Sequence, residues 1–277
     1  MKNTFISVIL ICIVFACIGM LYVNFTIPDV EGFETQYDDP YSITLDNTDV
    51  YLINLDRNED RLESFIEQYS LSDLSMNQFH RIPAVDGKTV ELNTDIITEK
   101  AFDEITQIEK TGYRTKHYQL TRGAIGCFMS HMKAFEYIAN GDKEYGLIFE
   151  DDVVIDTNIL KRMNMAIEDV PNNWDILVLG CICIVCDKYE KYYDTHRFFL
   201  MHCYVVNKKG ANRLLSLLKG VRISQQIDSA ISDLATEGKL RIYCLRDALS
   251  KQSGSFNTTI QTPLKVMPGI DPFVPVS

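Results

Sequence analysis

Tyr145-Gly146-Leu147-Ile148-Phe149 runs straight into Glu150-Asp151-Asp152, and the reading of this junction decides the architecture. An apolar, β-forming run that ends in adjacent carboxylates reads as a buried strand whose carboxyl end opens outward. In open α/β sheets, ligands collect at that end of the strands. Just upstream, Thr121 caps a helix that reaches about Asn140, with Ile125, Phe128, Met132, Phe135 and Ile138 near helical spacing and Gly141 as its stop. Downstream, a helix fits Ile159 to Asp169, a strand fits Asp175 to Leu179, and one longer strand fits Phe198 to Val206. Helices at about Lys208 to Leu218 and Gln225 to Glu237 precede a last strand at Leu240 to Leu245.

On the amino-terminal side, Val50 to Leu55 reads as a strand, followed by the polar turn Asp56-Arg57-Asn58-Glu59-Asp60-Arg61 and an amphipathic helix from Leu62 to Tyr69. A weaker strand at Phe79 to Ile82 enters the turn Pro83-Ala84-Val85-Asp86-Gly87. Strand and helix alternate along most of this stretch, which predicts a single layered α/β domain over 49–277 with a mostly parallel central sheet.

The first residues read differently. No charged residue separates Lys2 from Asp29, and Phe5 to Phe25 is apolar apart from Ser7 and Asn24. As a helix this stretch extends roughly 31 Å, about one hydrocarbon core. Lys2 precedes it and Asp29, Glu31, Glu34, Asp38 and Asp39 follow it, so the charge asymmetry predicts a cytoplasmic start and an exported body. The expectation is a cytoplasmic tip and transmembrane signal anchor over 1–28 and an acidic stem over 29–48, giving a single-pass type II membrane protein. A cleaved signal peptide is disfavoured by the length of the run, and a lipoprotein signal ending at Cys17 is disfavoured by Phe15. The body then lies in the ER or Golgi lumen of a eukaryotic or viral host, or at the envelope membrane of a bacterium.

An exported body permits disulfides. Outside the anchor lie Cys127, Cys181, Cys183, Cys186, Cys203 and Cys244. The Cys181-Ile182-Cys183-Ile184-Val185-Cys186 cluster could be half of a metal knuckle, but it has no partner pair, and structural or disulfide cysteines are the favoured reading. Asn257-Thr258-Thr259 is an N-glycosylation sequon.

Lys and Arg total 27 against 38 Asp and Glu, a net charge of -11, which excludes a nucleic-acid partner needing a basic footprint. An anionic small ligand then requires local donors or a bound cation. Glu150-Asp151-Asp152 supplies such a place, because hard oxygen ligands suit Mg or Mn, although a solvated acidic turn explains the same residues. Cys127 and His131, one helical turn apart, suggest a nucleophile pair or, more simply, a polar helix face packed on the sheet. Gly123 and Gly126 allow either a phosphate or sugar to approach the backbone, or tight helix packing. Asn54, Asp56, Arg57 and Arg61 can grip a nucleotide or serve as capping and i,i+4 pairs. Asp228, in the first turn of a helix, is a candidate base or a helix-dipole partner.

Taken in order, these blocks resemble glycosyltransferase family 25, the group of lipooligosaccharide-biosynthesis and procollagen galactosyltransferases. The resemblance covers about Val50 to Gln252. It rests on Tyr51 to Arg57 with Arg61, Arg81 to Gly87, Leu120 to Cys127 with Ser130-His131, Leu147 to Asp152, His202 to Val206 with Gly210-Ala211, Ile227-Asp228 and a closing Gln252.

The resemblance implies a GT-A-like fold, a UDP-sugar donor with galactose as the expected hexose, Mn2+ or Mg2+ as the metal, and a glycan or hydroxylated protein as acceptor. It implies Asp152 and Glu150 on the metal. Asn54, Asp56, Arg57, Asp86, Gly87, Gly123, Ser130, His131 and Glu150 fall on the nucleotide-sugar side. Asp228 becomes the base for an inverting transfer, with Asp151 also at the catalytic position or beside the ribose. Family members commonly have Glu where this chain has Ala124, which points to altered acceptor handling. Two other functions compete: a family-like adhesion or scaffold module without catalysis, and a metal-dependent phosphohydrolase, which lacks the second cluster a two-metal site needs.

Overall fold

A computed structural model describes residues 42–114, 119–256 and 258–260. The expected span at Phe5 to Phe25, most of the expected stem, and Asn257 of the sequon lie outside the described residues. Among the described residues, no helix is long and apolar enough to cross a membrane. The folded chain starts ahead of the expected Asp49. Ile43 is fully buried, and Asn164 holds its backbone from both sides, accepting from its N–H at 2.9 Å and donating to its carbonyl at 2.7 Å.

In chain order the elements are β1 (Thr48–Asn54), α1 (Glu59–Ser70), β2 (Phe79–Pro83), α2 (Glu99–Thr111), α3 (Arg122–Asn140), β3 (Tyr145–Glu150) and β4 (Val153–Ile155). There follow α4 (Ile159–Ile167), β5 (Ile176–Val178), β6 (Ile182–Lys188), β7 (Tyr192–Phe199), β8 (Cys203–Asn207), α5 (Lys208–Leu218), α6 (Ile227–Thr236), β9 (Ile242–Leu245) and β10 (Ser250–Gln252). Eight strands form one sheet in the order β2-β1-β3-β8-β5-β9-β7-β6, while β4 and β10 pair separately. β1 is parallel to both β2 and β3, and β5 to β9. β8 runs antiparallel to β3 and β5, and β7 to β9 and β6. Six strands therefore run one way and only β7 and β8 against them, so the sheet is mostly parallel in direction, with two reversed strands that alternation alone does not reveal.

Alternate side chains of the central strands go to opposite faces, as a pleated strand requires. Tyr51, Ile53, Ile148, Tyr204 and Val206 face a core closed by α2, α3, α5 and α6. Val50, Leu52, Leu147, Phe149 and Val205 face a second core closed by α1 and α4. The result is an α/β/α sandwich in which β3 is buried on both sides. Burial of Phe149 alone contributes about 1.5–3 kcal/mol.

Three differences from the sequence reading have local causes. The expected strand Phe198 to Val206 is two strands. β7 pairs with β9 only from Tyr192 to Asp194, and Leu200, at φ 77°, turns the chain toward β8 in the middle of the sheet. α2 is unannounced by the strand–helix alternation. Thr98 caps it by accepting from the Ala101 N–H at 3.3 Å, and Gly112 at φ 72° ends it. β6 coincides with the cysteine cluster. There Cys181 is bonded to Cys244 and Cys183 to Cys186, which decides between disulfide and knuckle.

Candidate active site at the end of the third strand

β3 carries Glu150 to the carboxyl edge of the sheet, where Glu150 N–H donates to the His202 carbonyl at 2.9 Å. The chain then turns through Asp151 and Asp152 into β4. These carboxylates share one wall of a cavity of about 380 Å³. Ile53, Leu55, Ile105 and Ile108 make its apolar side, and Arg57, Asp86, Lys88 and Arg122 lie among its polar lining.

The three acids have distinct surroundings. Asp151 is 8% exposed and both its oxygens are occupied: Oδ1 accepts from Arg61 at 2.8 Å, and Oδ2 from Asn54 at 2.8 Å and Asn58 at 3.3 Å. Glu150 Oε1 lies 2.9 Å from His131 Nε2, and the Cys127 thiol donates to it at 3.8 Å. His131 Nδ1 is in turn 2.5 Å from the Tyr204 hydroxyl. Burial pushes the Glu150 carboxyl up, but the His131 hydrogen bond and the charges of His131 and His202 more than offset it, leaving it below its ordinary value.

Asp152 is the outlier. One oxygen accepts from Gln252 at 2.9 Å and lies 3.8 Å from Arg61, whereas buried Oδ1 has no hydrogen-bond partner among the described residues. Burial, reinforced by the Glu150 charge, pushes its carboxyl up to about 6. A buried, partnerless carboxylate oxygen is out of balance unless a cation or water satisfies it. The bare oxygen of Asp152 thus fits a hard divalent cation, with the Glu150 charge close enough to act on it. Donor atoms of Cys127, His131 and Glu150 also lie within 4.8 Å of one another, but His131 and Glu150 already satisfy each other.

Of the residues singled out in the sequence, Arg57, Arg61, Asp86, Gly87, Gly123, Cys127, Ser130, Glu150, Asp151 and Asp152 line the cavity; Asn54, Asp56, Gly126, His131 and Asp228 do not. Asn54 is 1% exposed and held by Asp151 and Arg81, whose Nε donates to its Oδ1 at 2.8 Å. Asp56 points to solvent and pairs with Arg81 at 2.6 Å. Arg57 is bridged to Asp86 beside the opening. His131 is fully buried behind Glu150. Asp228 sits in the first turn of α6, where its Oδ1 accepts the Ser229 N–H at 2.7 Å. Burial raises its carboxyl, and the charges on Glu150 and His131 also reach it.

Burial and the carboxylates of Glu150, Asp228 and Asp152 push the Cys127 thiol far up, and the thiol donates to Glu150 while both His131 nitrogens are engaged by Tyr204 and Glu150, so the two do not form a nucleophile pair here. Gly126 packs on the backbone of Val85 and Gly87, Gly87 on the Arg122 carbonyl and Gly123 on Thr259 and Ile260, so these glycines serve close backbone packing. Ser130 completes that junction by accepting the Val85 N–H at 2.8 Å and donating to the Gly126 carbonyl at 2.6 Å. Ala124 is 1% exposed within the core. Tyr204 and His202 were visible only inside the family block His202 to Val206, because each sits in an apolar stretch with no local sign of a polar task. Gln252 was visible only as the last block of the family pattern.

A sequence model described as "Glycosyltransferase family 25 (LPS biosynthesis protein)" matches residues 47–231. The rat protein described as "Probable inactive glycosyltransferase 25 family member 3" is 30% identical over 137 residues, which is 48% of this chain and 22% of that protein. "Procollagen galactosyltransferase 1-B" of Xenopus laevis is 27% identical over 180 residues, 61% of this chain and 28% of that protein. The chain therefore matches only about a quarter of the length of these relatives. Among solved structures, S. aureus TarS 1-349 in complex with UDP-GlcNAc aligns over 78% of this chain and 61% of its own, at 10% identity and a TM-score of 0.43, a likeness too slight to carry an argument.

Proposed function

The chain belongs to glycosyltransferase family 25, and from that premise we propose that it is an active hexosyltransferase that uses a UDP-sugar, with galactose the expected hexose. The observation that carries this reading is the partnerless, buried Oδ1 of Asp152 at the wall of the cavity.

Glu150 and Asp152 hold the divalent cation, Mn2+ or Mg2+. When bound, the cation supplies positive charge against the diphosphate that leaves. Arg61 and Asn54 fix Asp151, and through it the turn that presents Asp152. Gln252 orients Asp152 from β10, and His131 keeps Glu150 ionised and aimed. The apolar side of the cavity at Ile53, Leu55, Ile105 and Ile108 accepts a flat ring and excludes water. Asp228 lies outside the cavity lining, but burial raises its carboxyl and the Glu150 charge reaches it, and it is the base that takes the proton from the acceptor hydroxyl as the new glycosidic bond forms and the bond to the diphosphate breaks, which inverts the anomeric carbon in a single displacement.

The acceptor is a glycan or a hydroxylated protein, and no nucleic acid is involved. The body is held to a membrane by the expected helix at Phe5 to Phe25, as a single-pass type II protein facing an oxidising compartment. The paired Cys181–Cys244 and Cys183–Cys186 support that compartment.

The test is UDP release by the purified protein from a panel of UDP-sugars with Mn2+. Metal-dependent release, greatest with UDP-galactose and lost in Asp152→Asn, is expected. Donor binding without turnover would put the chain beside the relatives described as inactive, and the absence of both would end the enzyme reading.

A further inference from the structure

A second concavity, of about 1010 Å³, lies between β2 and the carboxyl-terminal half of α3. It holds a cluster of aromatic rings. The Tyr51 ring is 5.5 Å from His80 and 6.0 Å from Tyr137, both tilted against it. Tyr51 is buried, but Tyr137 is 55% exposed and the His80 side chain is open to solvent. Around them stand Asp49, Glu136, Arg81 and Lys133, whose formal charges cancel. Each has a protein partner: Asp49 lies 3.9 Å from His80, Glu136 pairs with Lys219 at 2.8 Å, Arg81 with Asp56 at 2.6 Å, and Lys133 donates to the Pro83 carbonyl at 3.1 Å.

We propose that this groove binds a neutral oligosaccharide, as a subsite for the acceptor glycan outside the catalytic cavity. The inference rests on the glycosyltransferase reading for its purpose, but on the groove's own chemistry for its ligand. A nucleotide or other anion finds no excess positive charge here. A neutral sugar needs none. Its ring C–H face packs on the electron-rich faces of Tyr and His, and its hydroxyls exchange hydrogen bonds with already oriented carboxylates and amides.

The position also suits an acceptor chain. Pro83 lines the groove, and the next residues, Ala84 to Gly87, line the cavity. On α3, Cys127 and Ser130 line the cavity, and Lys133, Tyr137 and Asn140 line the groove. These positions recur at intervals of three or four along one stripe of the helix. Ser130 is buried under Val85, so a ligand joining the two sites passes over that segment, and the roughly 10 Å from Ser130 to Tyr137 at 1.5 Å per residue is within the span of a few sugar rings.

The test is saturation-transfer NMR on the protein without donor or metal, using lactose, cellobiose and maltotriose. Binding of at least one is expected, undiminished by saturating UDP, weakened roughly tenfold in Tyr137→Ala and retained in Tyr137→Phe, which keeps the ring. Tyr137 is largely exposed, so both variants fold. The proposal is overturned if none of these saccharides binds, if UDP displaces them, or if Tyr137→Ala binds as well as wild type. Binding without sugar transfer from any UDP-sugar removes the enzyme reading and leaves the groove; turnover without saccharide binding does the reverse.

Discussion

Asp152→Asn separates a carboxylate built for a cation from one that merely ends a turn. The buried carboxyl is pushed up to about 6, against 3.8 for an ordinary aspartate. The unfolded chain thus releases this proton near 3.8 and the folded chain near 6. Between these values the folded state binds more protons, so the stability tied to this group is full below 3.8 and falls as pH rises through about 6. Each pH unit of such displacement corresponds to about 1.4 kcal/mol, so the ionised carboxylate opposes folding by something on the order of 3 kcal/mol at neutral pH. Asn removes that charge and keeps an oxygen for Gln252.

In EDTA at neutral pH, Asp152→Asn is therefore expected to melt above the wild type. At about 2–4 °C per kcal/mol for a domain of this size, the ceiling is about 6–12 °C. Below about pH 4 the two should converge, because both then carry a neutral group at this position. Mn2+ is expected to raise only the wild type, by about 2.7 kcal/mol when its concentration is about a hundred times the dissociation constant. Thermal melts followed by circular dichroism across this pH range, with and without Mn2+, measure all three effects. A variant no more stable than wild type at neutral pH, a gain independent of pH, or an equal response of both proteins to Mn2+ would refute the reasoning.

His131→Gln removes the group that holds Glu150 below its ordinary value, so the acid limb of the kcat/KM profile is expected to move to higher pH. An unmoved limb with intact folding would detach Glu150 from turnover. Replacing Cys181 and Cys244 together by Ser opens a link across 63 residues, with a loop-entropy ceiling of about 4 kcal/mol. Urea denaturation should show that loss, and added reductant should lower the wild type toward the variant. Gly126→Ala places a methyl against the backbone of Val85 and Gly87, for an expected loss of about 1–3 kcal/mol and weaker UDP binding as the loop that lines the cavity is displaced. Calorimetry with UDP tests the second part, and unchanged affinity would show that the loop yields without disturbing the cavity.

Much of the fold was legible because its signals are local. The apolar run at β3, Thr121 before α3 and the apolar spacing of α3 each act within a turn or a strand, and the structure has them where the sequence puts them. Reversal of β7 and β8 left no such mark. A buried strand is apolar in either direction, and its partners are chosen by chain crossovers and not by composition. The positive φ at Leu200 is likewise imposed by the route of the chain, since leucine does not favour it.

The site divides in the same way. The sequence by itself determined the family pattern, the strand that delivers Glu150-Asp151-Asp152, and an acidic balance under which an anionic ligand needs local donors or a bound cation. Only the tertiary structure decided what surrounds each acid. Asp151 is held by Arg61 and Asn54, residues 90 and 97 positions away, and Glu150 by His131 on a neighbouring helix. Asp152 receives Gln252 from 100 positions further on and keeps one oxygen without a partner among the described residues. Adjacent carboxylates are alike in a chain. They become different when folding places unlike partners around each, because in a buried site an ion is governed by the charges and donors within a few ångströms.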